Sequence, residues 1–106
     1  MNKRVKKAIE EFKREARRLY AGRLKRVILY GSWARDEATE GSDIDVIVVL
    51  KGKVIPGREI DRMIDVVTDI LLKHGELISL YPVSEKRYHS VNSPLLMNAR
   101  REGIPA

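Results

Sequence analysis

The sequence of 106 residues contains no cysteine, only 6% aromatic residues and no long apolar run. Without cysteine the chain has no disulfide, no thiolate metal ligand and no cysteine nucleophile. No apolar segment approaches the roughly 20 residues that a membrane span needs. The charged start, MNKRVKKAIEEFKRE, also lacks the apolar centre of a secretion signal. These absences predict a cytoplasmic protein with no membrane association, built as a single domain over residues 1–106.

Charge is abundant but unevenly distributed along the chain. There are 21 Lys and Arg against 15 Asp and Glu, which gives a net charge of +6. Residues 1–26 hold eleven basic and three acidic side chains and carry +8, whereas the remaining eighty residues carry −2. A basic surface is typical of nucleic-acid-binding proteins. We interpret this segment first as a surface helix whose basic residues are solvated. Among binding roles we favour contact with another protein or attraction of a triphosphate, and keep nucleic-acid binding as an alternative.

Hydrophobic periodicity predicts three helices. Apolar residues at three- and four-residue steps indicate a basic first helix that ends near Gly22 and a second helix over Arg58–Lys73. A short closing helix is predicted between Ser93, as its N-cap, and Gly103, as its C-terminal stop.

Three β-rich runs predict strands between these helices. They cover Leu24–Tyr30, Asp43–Leu50 and Glu76–Val83, and Pro82 places the third strand near a sheet edge. The order α-β-β-α-β-α predicts an α/β fold, with helices packed on a small mixed β-sheet.

Two carboxylates lie at the start of the second strand, in Asp43-Ile44-Asp45. Because side chains alternate along a strand, Asp43 and Asp45 point the same way and repel each other unless a cation lies between them. Hard divalent ions that prefer oxygen ligands, such as Mg²⁺ or Mn²⁺, suit such a pair. Taken alone, the pair is more typical of two solvated acids at the beginning of a strand than of a metal site.

A Gly31-Ser32 pair ends the first strand, ten residues before the two carboxylates. Glycine permits close approach of a phosphate, and the serine hydroxyl can donate a hydrogen bond to it. The spaced combination arises by chance in about one chain per thousand of this length, given average residue usage. A phosphate cradle beside a metal-binding pair predicts metal-dependent phosphoryl or nucleotidyl transfer.

These residues also carry a family resemblance. GSWAR at Gly31–Arg35 and GSDIDV at Gly41–Val46 resemble the signature of the polymerase-β-like nucleotidyltransferases. The segment Ser93–Ile104 is similar to the closing helix of their minimal (MNT) branch, so the resemblance covers nearly the whole chain. It implies the nucleotidyltransferase core as the fold.

The resemblance implies a set of roles and partners. Asp43 and Asp45 would be the catalytic pair that holds Mg²⁺ on ATP, and Gly31 and Ser32 would hold the outer phosphates. The branch implies an antitoxin whose partner is a HEPN ribonuclease toxin, with AMP transferred from ATP to a tyrosine of that toxin. A chain of 106 residues has no room for a helical acceptor domain of its own, so the acceptor should be another protein. Self-association is left open.

A third carboxylate, which the larger superfamily uses to activate the attacking hydroxyl, is missing from the middle of the predicted third strand. Ser79 or Ile78 lies about where it would be expected. Glu76 is the substitute we consider as a further metal ligand, with a solvated residue at the strand start as the alternative. Loss of general-base help typically lowers a rate about 10²–10⁴-fold. The chain is therefore either a slow transferase or an antitoxin that acts by binding alone.

Two further residues are candidates for nucleotide binding. Arg35 could reach the triphosphate, or could form a surface ion pair with Asp36 or Glu37. Ser42 precedes the carboxylates directly and is either a site residue or a turn residue. Trp33, inside the motif, is interpreted as a packing or partner-contact residue rather than a base-stacking one.

Overall fold

The computed structural model describes residues 1–106 as four helices on the two faces of one four-stranded sheet. The helices are α1 (Lys3–Tyr20), α2 (Pro56–His74), α3 (Glu85–Ser90) and α4 (Pro94–Glu102). The strands are β1 (Leu24–Tyr30), β2 (Ile44–Leu50), β3 (Ile78–Ser84) and β4 (Ile104–Pro105). This arrangement confirms the predicted α/β class. None of the helices combines the length and the apolarity that crossing a membrane requires.

The sheet is mixed, with the strand order β3-β2-β1-β4. β1 runs antiparallel to β2 and to β4, whereas β2 and β3 are parallel. Parallel neighbours need a crossover that a hairpin turn cannot supply, and α2 provides it. β3 is an edge strand, as the position of Pro82 predicts, because proline has no N–H to offer a further strand.

Both faces of the sheet are covered by helices. α1 and α2 cover one face, in a core that includes Val46 and Met63. α3 and α4 cover the other face, where Ile47 and Tyr88 belong to the same buried cluster. β2 is buried on both faces, which explains its continuous apolar sequence. Asp45, two residues before Ile47, is only half-buried and lies at the end of the face covered by α3 and α4.

The strand predictions are confirmed with small shifts. β1 has the predicted bounds, and β2 begins one residue later, at Ile44. The third strand is displaced toward the C-terminus, because its pairing with β2 begins at Ile78. Glu76 therefore lies before β3 and not within it, which corrects the prediction from sequence.

α3 and β4 have no counterpart in the sequence prediction. α3 has six residues, and Ser84 caps it by accepting a hydrogen bond from the N–H of Arg87 at 3.2 Å. Such a helix is too short to show a helical period in sequence. β4 has two residues, and it exists because Ile104 and Pro105 pair with β1, which is distant in the chain.

The ends of α4 and α1 test the capping residues that the sequence predicts. Ser93 caps α4 as predicted, since its Oγ accepts a hydrogen bond from the N–H of Leu96 at 3.2 Å, and Gly103 follows the last helical residue. The predicted stop of α1 at Gly22 is wrong by one position. The helix ends at Tyr20, and Ala21 takes the cap with φ +49° while its N–H donates to the carbonyl of Arg17.

Candidate active site

The site is built where β1 ends beside the start of β2. Tyr30, the last residue of β1, pairs with Asp45, the second residue of β2. Gly31 follows with φ +73°, and a Cβ at this position would overlap the carboxylate of Asp45. Only glycine combines this backbone conformation with so close an approach. The fold thus brings the backbone of the Gly-Ser pair against one of the two predicted carboxylates.

A tight turn follows Gly31. The N–H of Arg35 donates to the carbonyl of Gly31 at 3.1 Å, and the N–H of Glu37 donates to the carbonyl of Ser32 at 2.9 Å. Asp36 has φ +58°, a conformation that Asp adopts more readily than most residues. The Ser32 side chain forms no hydrogen bond within the chain, so its hydroxyl is available to a ligand. These features form a short turn directly after β1.

The two carboxylates lie close enough to influence each other's charge. Asp43 directly precedes β2 and is exposed, whereas Asp45 is half-buried. Burial is the main reason that the pKa of Asp45 is raised, and the charge of Asp43 raises it further. A cation between the carboxylates would relieve both effects, because it replaces lost hydration and separates like charges. The donor set therefore fits a hard divalent ion bound by two carboxylates.

Arg35 lies at the border of this pair. Its Nε is 3.2 Å from Oε2 of Glu37 and its Nη1 is 3.9 Å from Oε2 of Glu102 on α4. The positive charge also lowers the pKa of Asp45, against the two effects that raise it. Of the two ion pairs that the sequence left open, the structure forms the one with Glu37. Arg35 is half-exposed and lies near enough to the carboxylates for its charge to be felt there.

Beside these residues is a small cavity between the end of β1 and α4. Its volume is about 150 Å³, and it is lined by Tyr30, Gly31, Arg35, Leu95, Asn98, Ala99 and Glu102. Sequence reasoning from single residues did not point to the α4 residues, because they lie about 65 positions from the motif. The similarity of Ser93–Ile104 to a family closing helix was the signal that could have found them.

Ser42 helps to close the loop that leads into β2. Its Oγ accepts a hydrogen bond from the N–H of Thr39 at 3.0 Å, and its N–H donates to the carbonyl of Thr39 at 3.0 Å. Trp33 is half-buried against the α1–α2 core, and its Nε1–H donates to the carbonyl of Ser42 at 3.3 Å. The Trp33 ring thus ties the turn after β1 to the residue that precedes the carboxylates.

No third acidic group joins the pair. Ser79 lies directly across from Asp45 on β3, and no group of three or more His, Cys, Asp or Glu side chains is suited to hold a metal ion. Glu76 is buried, and Nε of Arg4 lies 3.3 Å from its carboxylate. The structure therefore does not bring Glu76 together with Asp43 and Asp45.

Two tyrosines near the carboxylates, Tyr30 and Tyr81, are not predicted as site residues from the sequence. Burial raises the pKa of Tyr30, and the nearby groups of Asp45 and Tyr81 raise it further. Both rings lie on the sheet face that carries Asp45, since Tyr30 pairs with Asp45 and Tyr81 follows Ser79 by two residues on β3. In the sequence, a tyrosine in a strand indicates no more than a packing residue. Only the strand register shows that these tyrosines share a sheet face with Asp45.

With this geometry established, comparison with known proteins assigns the class. The family described as "Nucleotidyltransferase domain" matches residues 9–95. The chain belongs to this family and is a nucleotidyltransferase by class. The resemblance found through Gly31–Arg35 and Gly41–Val46 is confirmed.

Particular relatives come from Methanocaldococcus jannaschii. One, named a putative protein adenylyltransferase, is 40% identical over 98 residues, which are 92% of this chain and 92% of the relative. Another protein with the same descriptive name is 37% identical over 71 residues, or 67% of this chain and 71% of the relative.

Solved structures share the fold at low sequence identity. A crystal structure described as a toxin-antitoxin with AMP-PNP superposes with a TM-score of 0.62 and 16% identity, over 91% of this chain and 70% of that chain. A crystal structure described as a putative nucleotidyltransferase from Sulfolobus solfataricus gives a TM-score of 0.53 and 17% identity, over 99% and 86% of the two chains.

Proposed function

We propose that this nucleotidyltransferase is a protein adenylyltransferase that moves AMP from ATP to a hydroxyl of a partner protein. The observation that carries the proposal is the contact between the Gly31 backbone and the Asp45 carboxylate, with Asp43 beside it. This contact supports the proposal because one ligand could reach both the turn proposed to bind phosphate and the pair proposed to bind the metal. The names of the relatives support a protein as the acceptor.

Different residues of the site would bind the metal and the phosphates of ATP. Asp43 and Asp45 would hold Mg²⁺, or Mn²⁺, which supplies charge neutralisation and orientation for the triphosphate. The turn at Gly31 and the free hydroxyl of Ser32 would hold the outer phosphates, since both offer donors without a competing side chain. Arg35 would add positive charge at the same border.

Ser42 has a different place in the proposal. Its hydroxyl already accepts a hydrogen bond from Thr39, so it fixes the loop before the carboxylates and can offer its hydroxyl proton to a phosphate.

The proposed transfer is a displacement at the α-phosphorus of ATP. A new bond forms between the acceptor oxygen and the α-phosphorus, and the bond from that phosphorus to the oxygen that bridges the α- and β-phosphates of ATP breaks. The acceptor hydroxyl loses its proton, and pyrophosphate leaves with the displaced electron pair. Since no third carboxylate stands beside the pair, the proton passes to water and the reaction is slow relative to enzymes that have such a base.

The acceptor in this proposal is a separate protein, a toxin that the present chain counteracts. The four helices all pack on the single sheet, which supports the proposal that the chain is one domain without a helical acceptor of its own. A structure of similar fold is described as a toxin-antitoxin with AMP-PNP, which supports a toxin partner and a nucleotide ligand. Following the resemblance to the minimal branch, we propose a HEPN ribonuclease as this toxin and a tyrosine as the residue modified.

The test uses the purified chain, the product of the neighbouring gene, Mg²⁺ and ATP labelled at the α-phosphate. We expect label on the partner, and its loss in Asp43→Asn/Asp45→Asn and in the presence of EDTA. The matched control is Asp61→Asn/Asp65→Asn, which makes the same charge change on exposed positions of α2. Transfer from γ-labelled ATP instead, or transfer that persists in the Asp43/Asp45 variant, would contradict the proposal.

A second candidate function rests on Ser79, which occupies the position across from Asp45 where a third carboxylate would stand. In that case the chain binds nucleotide and neutralises its partner by contact, without chemistry. The same variant separates the two functions. If Asp43→Asn/Asp45→Asn still neutralises the partner fully and no label is transferred by the unmodified chain, the contact mechanism holds and the transferase proposal fails.

A further inference from the structure

A second cavity lies at the opposite end of β1 from the motif. Its volume is about 640 Å³, within the range of about 300–1,000 Å³ that small-molecule sites occupy. It is lined by Lys13, Arg17, Ala21, Leu24, Lys25, Arg26, Val27, Ile28, Tyr88, Ala99, Arg100, Gly103, Pro105 and Ala106. None of the motif residues contributes to it, so it is separate from the candidate active site. We call it the basic cavity.

Five cations from three elements converge on the basic cavity, and no acidic residue lines it. Lys13 and Arg17 come from α1, Lys25 and Arg26 from β1, and Arg100 from α4. None of the five lies within 4.0 Å of a carboxylate, although other cations of the chain do. Their charges are therefore uncompensated by the protein, and an anion in the cavity would gain from all of them.

Arg100 is held in a fixed orientation. Its Nη1 donates to the carbonyls of Tyr88 at 2.7 Å and Val91 at 2.9 Å, and its Nη2 donates to Oδ1 of Asn92 at 2.8 Å. All three acceptors are neutral, so the guanidinium keeps its full charge while its position is fixed. A preorganised cation loses less conformational freedom when a ligand binds.

The floor of the basic cavity is apolar. Val27, Ile28 and Ala99 contribute to it, and β4 covers β1 only at Ile28 and Leu29. A ligand that suits both features needs an anionic part for the cations and a flat or apolar part for the floor. Nucleotides have this composition, whereas inorganic anions lack the second part.

We propose that the basic cavity is a second ligand site, which binds the phosphates of a nucleotide and rests the nucleoside on the apolar floor. Because five basic side chains and no acidic side chain line the cavity, the phosphates need no divalent metal to neutralise them here. This requirement is opposite to that of the Asp43/Asp45 pair, so the two sites can be measured separately.

The experiment is a calorimetric titration of the full chain with ADP in EDTA and low salt. We expect one site, unchanged in Asp43→Asn/Asp45→Asn, and weakened at least tenfold in Arg17→Glu/Arg26→Glu. The matched control is Lys7→Glu/Arg14→Glu, which makes the same charge change at exposed α1 positions that do not line the cavity, and it should shift the affinity less than threefold. Melting temperatures verify that each variant folds.

Two further probes define the ligand class. Pyrophosphate should bind at least tenfold more weakly than ADP, because it leaves the apolar floor uncovered. A 20-nucleotide single-stranded RNA should not bind more tightly than ADP. Equal losses in Arg17→Glu/Arg26→Glu and the control would overturn the proposal in favour of a diffuse positive field. Tighter RNA binding, or loss of ADP binding in the Asp43/Asp45 variant, would overturn it as well.

Discussion

At Gly31 the backbone passes against the Asp45 carboxylate, and this contact makes a prediction at the residue scale. Gly31→Ala adds a methyl group where the carboxylate lies, at φ +73°. We expect AMP transfer to fall about 10²-fold, as for a misplacement near 1 Å. Gly41→Ala is the control, because Gly41 has φ +88° but no neighbour within 4 Å of the added carbon. Both variants should lose about 1–2 kcal/mol from the left-handed backbone. Transfer that falls equally in both would contradict the contact argument.

The raised pKa of Asp45 predicts a pH dependence of stability. Between its unfolded and folded pKa values this carboxyl is ionised in the unfolded chain and still protonated in the folded one. Stability therefore falls as pH rises through that window, and the loss is complete above the folded pKa. Asp45→Asn removes the loss, so in EDTA it should raise the melting temperature at pH 7 relative to the unmodified chain, and have little effect at pH 3. Asp61→Asn, at an exposed position, should show no such difference between the two pH values.

The sequence predicts the candidate site residues that lie in a short segment. It does not predict contacts between residues that are far apart in the chain and are brought together by the fold. Gly31 and Asp45 are predicted from the spacing of the Gly-Ser and Asp-x-Asp pairs, because one pair follows the first strand and the other begins the second. The ion pair between Arg35 and Glu102 joins residues 67 positions apart, and nothing local in either segment encodes it. The ion pair between Arg4 and Glu76 is likewise not encoded locally, because it depends on how α1 packs beside the start of β3.

At the scale of elements, the long periodic segments are predicted and the short ones are not. α1 and α2 have enough apolar positions to define a helical period, and β1 and β2 are recognisable as β-rich runs, so each is predicted to within a few residues. β4 has only Ile104 and Pro105, and it becomes a strand because β1 offers a free edge there. An element whose hydrogen bonds come from a distant partner cannot be recognised from its own composition.

The cap of α4 gives a prediction for an element. Ser93→Ala removes the acceptor for the N–H of Leu96 and should lower the free energy of unfolding by about 1 kcal/mol. α4 also walls the 150 Å³ cavity, so AMP transfer should fall in the same variant. Ser84→Ala makes the same change at the cap of α3, which does not line that cavity. Urea unfolding and transfer assays on both variants test this, and equal transfer in the two would show that the α4 cap has no role at the site.

At the scale of the whole molecule, charge is divided between two ends of β1. The sequence shows that residues 1–26 carry +8, but this segment alone reads as one solvated helix face. The fold places part of it around a common cavity, together with Arg100 from the other end of the chain. At the other end of β1 the carboxylates of Asp43 and Asp45 lie together. Net charge therefore describes this protein poorly, whereas the placement of charge predicts two sites of opposite ion requirement.

This division predicts how ligands stabilise the fold. α,β-Methylene-ATP, in which the bond broken during AMP transfer is blocked, should raise the melting temperature in Mg²⁺ through binding to the folded state. At 100 times its Kd a ligand contributes about 2.7 kcal/mol, which corresponds to roughly 10–20 °C for a domain of this size. In Asp43→Asn/Asp45→Asn, or in EDTA, only the smaller contribution of the basic cavity should persist.

Melting temperatures of the unmodified chain and of the variants, each measured in Mg²⁺ and in EDTA, separate the contributions of the two sites. Arg17→Glu/Arg26→Glu should keep the Mg²⁺-dependent part of the shift and lose the part that persists in EDTA. Combining this variant with Asp43→Asn/Asp45→Asn should abolish the shift, and the two losses should add, because the sites share no lining residue. A Mg²⁺-dependent shift that survives in Asp43→Asn/Asp45→Asn would place the metal elsewhere and would contradict its assignment to this pair.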